Sequence, residues 1–332
     1  MTLHKLPEDP ALWKRRFLTP QVYWTQVAEA TPAVGLVGTD LAGMNQLYFW
    51  DVPTGELRRL TDRPEGVPFA VLAPDGRYAY YFQDDNGSEF GRWVRLGLTG
   101  GEPEDIAPDL ATYSSWKLAL SGSGKLAGFI LAEATAFHVY CISIETNGDF
   151  GAPKMLYETP NLAEGPYLSY DGDVAVVASS ERSGGLRFGL LALDIESGEA
   201  IGELWDGPGS NVNPRLFSRI AGDTRLLATT TRTGYRRPLM WNPRSGERTD
   251  LELGAVQGEV LPWDWSGDGQ YILLCSAFGA VQRLSLYDLG SKVLHALDHP
   301  GGTYQHAYFA TDGDIYAEWE DATHPRQLIA LV

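Results

Sequence analysis

A tight turn returns at a nearly fixed interval along this chain, each time between two runs of alternating apolar residues. It reads Pro74-Asp75-Gly76, Ser123-Gly124, Asp171-Gly172, Gly222-Asp223, Asp268-Gly269 and Asp312-Gly313, with spacings of 48, 48, 51, 46 and 44 residues. An internal period of about 40 to 50 residues holding several short strands is the mark of propeller blades, each of which buries its faces only against its neighbours. One interval earlier, Val22-Tyr23-Trp24-Thr25 and Val34-Gly35-Leu36-Val37 flank a turn at Ala30-Thr31-Pro32, which brings the count to seven. The expected fold is all-β, a seven-bladed β-propeller of four-stranded antiparallel blades over residues 20–332. Residues 1–19 are an N-terminal extension, read as a short helix or a blade-closing segment.

Each repeat can be laid out as four strands, a to d. In the second, Phe69–Leu72, Tyr78–Phe82, Trp93–Leu96 and Glu104–Ile106 fill these places, with turn residues between them. The sixth follows the same plan with Pro262–Trp265, Tyr271–Leu274, Leu284–Tyr287 and Val293–Leu297. The last repeat offers Gln305–Phe309, Asp314–Trp319 and Gln327–Val332 and then lacks an outer strand. That leaves an edge which native proteins normally cover. Either the segment before Thr19 pairs there, or the natural chain continues.

Charge narrows the partners. With 26 Lys and Arg against 43 Asp and Glu, the formal charge is −17, which repels nucleic-acid backbones and anionic membrane surfaces. The N-terminus has no apolar leader and no stretch approaches 18 apolar residues, so neither export nor membrane insertion is expected. The two cysteines, Cys141 and Cys275, sit in apolar strand-like runs as small hydrophobes, which fits a cytoplasmic location. The six histidines show no metal-ligand spacing, so no metal or other cofactor is expected.

The series Gln46–Leu57, Ala73-Pro74-Asp75-Gly76-Arg77-Tyr78, Asp84-Asp85-Asn86-Gly87-Ser88-Glu89 and Gly100-Gly101-Glu102-Pro103 resembles the N-terminal propeller of prolyl-oligopeptidase-type (S9) serine peptidases, nearest to the acylaminoacyl-peptidase-like bacterial branch. Thr323–Leu328 resembles the closing blade that precedes the hydrolase domain in that family. Trp50-Asp51 does not recur at the blade interval, which argues against a WD-repeat protein. The family's chemistry needs a Gly-x-Ser-x-Gly elbow, and none is present, so no catalytic residue is carried over and the chain should be inactive alone.

The resemblance implies a non-catalytic domain that gates short peptides and docks an α/β-hydrolase domain. The alternative is a free-standing, TolB-like propeller that binds a protein or peptide. A propeller enzyme such as a lactonase or lyase would need acids or histidines converging on the channel, which their placement in the sequence does not suggest.

Propellers carry their b-to-c and d-to-a loops on one face. Asp84, Asp85 and Glu89 lie in such a loop and are candidates for hydrogen bonds to a partner domain or a peptide amine, against the plainer reading that they cap their own loop. Arg232, Tyr235, Arg236 and Arg237 form the densest basic cluster of the repeat region and suit a carboxylate, against the plainer reading of a solvated or inter-blade loop. Lys14, Arg15 and Arg16, beside Trp13 and Phe17, suit an interface helix. A homo-oligomer is left open.

Overall fold

In a computed structural model, residues 18–311 and 313–331 are described. The N-terminal extension up to Phe17, with its basic run, lies outside them. Blade 1 is β1 (Val22–Val27), β2 (Val34–Thr39), β3 (Gln46–Asp51) and β4 (Leu57–Arg59). Blade 2 is β5 (Ala70–Leu72), β6 (Tyr78–Asp84), β7 (Gly91–Gly97) and β8 (Glu104–Asp105). Blade 3 is β9 (Leu118–Leu120), β10 (Leu126–Ala132), β11 (Phe137–Ser143) and β12 (Lys154–Thr159). Blade 4 is β13 (Ala163–Leu168), β14 (Val174–Ser179), β15 (Gly189–Asp194) and β16 (Ala200–Leu204). Blade 5 is β17 (Val212–Phe217), β18 (Leu226–Thr230), β19 (Arg237–Trp241) and β20 (Arg248–Asp250). Blade 6 is β21 (Glu259–Trp265), β22 (Tyr271–Phe278), β23 (Val281–Asp288) and β24 (Val293–Ala296). Blade 7 is β25 (Thr303–Phe309), β26 (Ile315–Glu320) and β27 (Gln327–Leu331).

Every sheet pairs its strands antiparallel in chain order, six with four strands and the last with three among the described residues. The first strands of successive blades touch one another, so they line the axis of the ring. The seven-bladed propeller read from the repeat is the fold observed.

The second strands explain why the blades stack. β14 is buried along its whole length, and β10 is buried at all but its last residue. A strand apolar on both faces needs cover on both faces, and only a neighbouring blade on each side supplies it.

The core divides into six apolar clusters, one for each seam from blades 1 and 2 through blades 6 and 7. Blades 7 and 1 meet differently. There the Thr25 N–H donates to Glu318 Oε1 at 2.7 Å, and the Thr25 and Tyr308 hydroxyls lie 2.9 Å apart. Val22 N–H reaches the Arg326 carbonyl at 3.3 Å, and the Trp50 and Tyr316 rings meet at 6.1 Å.

Candidate functional site in the central channel

The mouth of the channel follows from the repeat. Each first strand is followed directly by a small buried residue, Ala28, Ala73, Ser121, Ser169, Ser218, Ser266 or Ala310. The residue after it turns toward the axis, so Glu29, Pro74, Gly122, Tyr170, Arg219, Gly267 and Thr311 ring a cavity of about 660 Å³ on the a-to-b turn face. Gly122 belongs there for a steric reason: a Cβ on it would lie 2.3 Å from the Tyr170 ring. A second cavity of about 310 Å³ shares Glu29, Gly122, Tyr170 and Arg219 with the first and runs into the channel wall past Lys117, Tyr167 and Arg215.

Bulges aim the channel side chains. Five first strands shift register against their second strands, at Val22/Trp24, Glu164/Tyr167, Pro214/Leu216, Pro262/Asp264 and Tyr304/His306. A bulge leaves a residue unpaired and re-aims its neighbours. Arg215 is the unpaired residue of blade 5, and the bulge of blade 4 lets the Tyr167 hydroxyl donate to Glu164 Oε1 at 3.1 Å.

The charges fall into two sets. Near the turn face, Arg219 Nη2 donates to Asp264 Oδ1 at 2.7 Å and its Nε lies 3.7 Å from Glu29 Oε1. Asp264, only 2% exposed, also accepts the Phe309 N–H at 2.7 Å, so one carboxylate ties blades 5, 6 and 7 together. Burial works against the Arg219 charge, yet Asp264 and Glu29 hold its pKa above the ordinary value.

Deeper in, Lys117 Nζ sits 3.5 Å from the centre of the Tyr167 ring, and Arg215 Nε donates to the Pro262 carbonyl at 3.4 Å. Neither has a carboxylate within 4.0 Å among the described residues. Burial, reinforced by Arg215, pushes the Lys117 pKa down to about 8 against the opposing pull of Glu164. Burial likewise lowers Arg215, with Arg236 adding to the effect. His306, flanked by the rings of Trp263 and Tyr308 at 5.9 Å each, is held below its ordinary pKa by burial, with Arg215 and Arg219 pressing the same way and Asp264 opposing.

The sequence-predicted residues lie elsewhere, on the b-to-c and d-to-a loop face. Asp84 accepts the backbone N–H groups of Ser88 and Glu89 at 2.9 and 3.0 Å, capping its own loop. Asp85 closes that loop through its backbone N–H to the Phe90 carbonyl, and Glu89 adopts φ 64° at the tip. Arg232 donates to Asp250 at 2.6 Å, Arg236 to Glu259 at 2.6 Å and Arg237 to the Val256 carbonyl at 2.8 Å, while Tyr235 is exposed. This cluster bonds within blade 5 and toward blade 6 and does not converge on one ligand position. The channel set, Lys117, Arg215, Arg219, Asp264 and His306, escaped the sequence reading because its members are spread over four blades. The position following each small strand-end residue was the signal that could have found the mouth.

The two faces also differ in apolar exposure. Of fifteen large apolar side chains exposed among the described residues, eleven lie on the loop face or at strand ends reaching it, including Leu41, Phe90, Trp116, Leu186, Tyr235 and Phe278. By the same measure the turn face holds Ile220 and the strand-end residues Leu57 and Val293, and Met155 lies on an outer strand.

No family model matches the chain, and no curated protein matches it. Solved structures do. A structure from a study of two prolyl endopeptidases aligns with a TM-score of 0.75 at 15% identity, covering 98% of this chain and 50% of that one. An oligogalacturonate lyase solved with manganese aligns at 0.71 and 13% identity, covering 93% of this chain and 88% of that one. A puromycin hydrolase aligns at 0.58 and 16% identity, covering 86% and 47%. The chain thus spans about half the length of the two hydrolytic enzymes and nearly all of the lyase. At these identities the likeness establishes the fold alone, that of a β-propeller. Among the described residues no group of three or more His, Cys, Asp or Glu could hold a metal ion, and no helix is long and apolar enough to cross a membrane.

Proposed function

We propose that this chain is the non-catalytic propeller of an S9-type serine peptidase, which docks an α/β-hydrolase domain on its loop face and restricts that domain to short peptides. The concentration of exposed apolar side chains on that face carries the reading. Apolar groups gathered on one side of a soluble domain mark a surface meant to be covered. The likeness to about half of a prolyl endopeptidase leaves length there for a second domain. The channel, with its ringed mouth on the opposite face, is then a narrow approach to whatever sits on the loop face.

The second reading is a free-standing propeller that binds a small molecule in its channel, favoured by the near full-length match to the lyase. The lyase's manganese gives this chain no chemistry, because its described residues offer no donor cluster.

The test is to immunoprecipitate the native gene product from its source cells and treat it with a fluorophosphonate, which labels activated serines. The proposal expects a labelled serine in the precipitate and none in the purified 332-residue chain. A precipitate that takes no label would overturn it.

A further inference from the structure

Lys117 is half-buried and Arg215 is exposed to the open channel, and neither has an ion-pair partner among the described residues. The other cation of the channel wall, Arg219, has two carboxylates beside it. Lys117 and Arg215 instead line one cavity, joined to the turn-face mouth, in a chain whose overall charge is −17.

We infer that this cavity is a binding site for a small carboxylate-bearing molecule, with Arg215 and Lys117 as its anion clamp and Tyr167 and Tyr170 as its apolar walls. Arg219 is already matched by Asp264 and Glu29, and Glu164 offsets part of Lys117. The uncompensated charge is therefore small, which suits a single carboxylate better than a phosphate dianion. A guanidinium fork donates to both carboxylate oxygens at once, and the ammonium adds a point charge. At about 310 Å³ the cavity admits a molecule of a few residues or one sugar ring, entering past Glu29 and Tyr170. The inference holds whether the ring works attached to a hydrolase domain or alone.

The pH dependence follows from what faces Lys117: Glu164 and Tyr167 from β13 and Arg215 from β17. Burial raises the Tyr167 pKa, so its phenol stays neutral, and Arg215 stays charged near neutrality. Lys117 alone changes charge near pH 8. Affinity should fall as pH rises through that value.

The experiment is calorimetric titration of the full chain with four probes: an acetylated tripeptide with a free C-terminal carboxylate, its C-terminal amide, glucuronate and inorganic phosphate. Binding of the tripeptide acid but not its amide identifies a peptide end as the source of the carboxylate, and binding of glucuronate identifies a sugar acid. Lys117→Met and Arg215→Gln should each weaken binding at least tenfold, and Lys117→Met should flatten the pH dependence. Both variants should melt close to the wild-type temperature, since neither residue holds an ion pair among the described residues. Residues kept only for structure would melt lower on replacement. Failure of every carboxylate to bind, binding of phosphate alone, or binding unchanged in both variants would overturn the assignment.

Discussion

Six seams of the ring are sealed by apolar clusters, while the seventh, between blades 7 and 1, joins one aromatic contact, Trp50 on Tyr316, to hydrogen bonds around a buried carboxylate. The two kinds of joint respond to different variables. Apolar burial is non-directional and indifferent to pH near room temperature. The polar seam depends on the charge of Glu318, which is 3% exposed and whose pKa burial pushes up to about 7, against the pull of the Thr25 N–H and Arg326. A ring closed by face-to-face packing, with no strand exchanged between its ends among the described residues, is only as firm as its least apolar seam.

The largest expected effect belongs to the apolar joints. Trp265, fully buried between blades 5 and 6, should cost about 3–5 kcal/mol when replaced by Ala, equally at pH 5 and pH 8, measured by denaturant unfolding. A loss that varied strongly with pH would break the contrast.

A similar loss, about 3–4 kcal/mol, is expected for Asp264→Ala, which leaves Arg219 with only the 3.7 Å contact to Glu29 and orphans the Phe309 N–H. Asp264→Asn should restore the Phe309 bond and only part of the stability.

The seventh seam gives an effect of opposite sign. The raised pKa of Glu318 means that its folded-state contribution is complete below the ordinary glutamate pKa and is lost as pH rises from about 4.5 through about 7. Glu318→Gln keeps an oxygen for the Thr25 N–H without the charge. It should stabilise the chain by about 2–3 kcal/mol at pH 8 and change little at pH 4. Equal effects at both pH values would remove the carboxylate from the account.

Hydrogen exchange sharpens the comparison further. At pH 8 the amide of Thr25 should exchange through local opening well before that of Val212, which sits in the equivalent first strand of blade 5. The smallest effect is expected on the loop face, where Arg232→Ala and Arg236→Ala each break a half-exposed ion pair and should shift stability by less than about 1 kcal/mol.

The blades were legible in the sequence because the Asp-Gly turns demand special backbone geometry and recur with the fold. Gly76, Gly172 and Gly269 all adopt φ between 72° and 77°. The first blade, which lacks an Asp-Gly turn, was recovered from the spacing and the apolar runs that flank Ala30-Thr31-Pro32. The channel was not legible, because convergence there depends on bulges such as the one at Arg215, and a bulge has no reliable residue signature. Density misled in the opposite direction. Arg232, Arg236 and Arg237 are close in sequence but diverge to separate partners, whereas Lys117 and Arg215 are 98 positions apart and share one cavity. Asp84 illustrates a third case, in which a short polar loop consumes its own carboxylate.

The proposed cover of the loop face by a hydrolase domain, with the turn face open, is tested most directly by a photoreactive side chain placed at Leu186 on the loop face or at Ile220 on the turn face of the native gene product, followed by cross-linking in source cells and mass spectrometry. Cross-links from Leu186 to peptides of a domain bearing a Gly-x-Ser-x-Gly elbow, with none from Ile220, are the predicted result. Cross-links to such a domain from Ile220 alone, or from neither position, would contradict it.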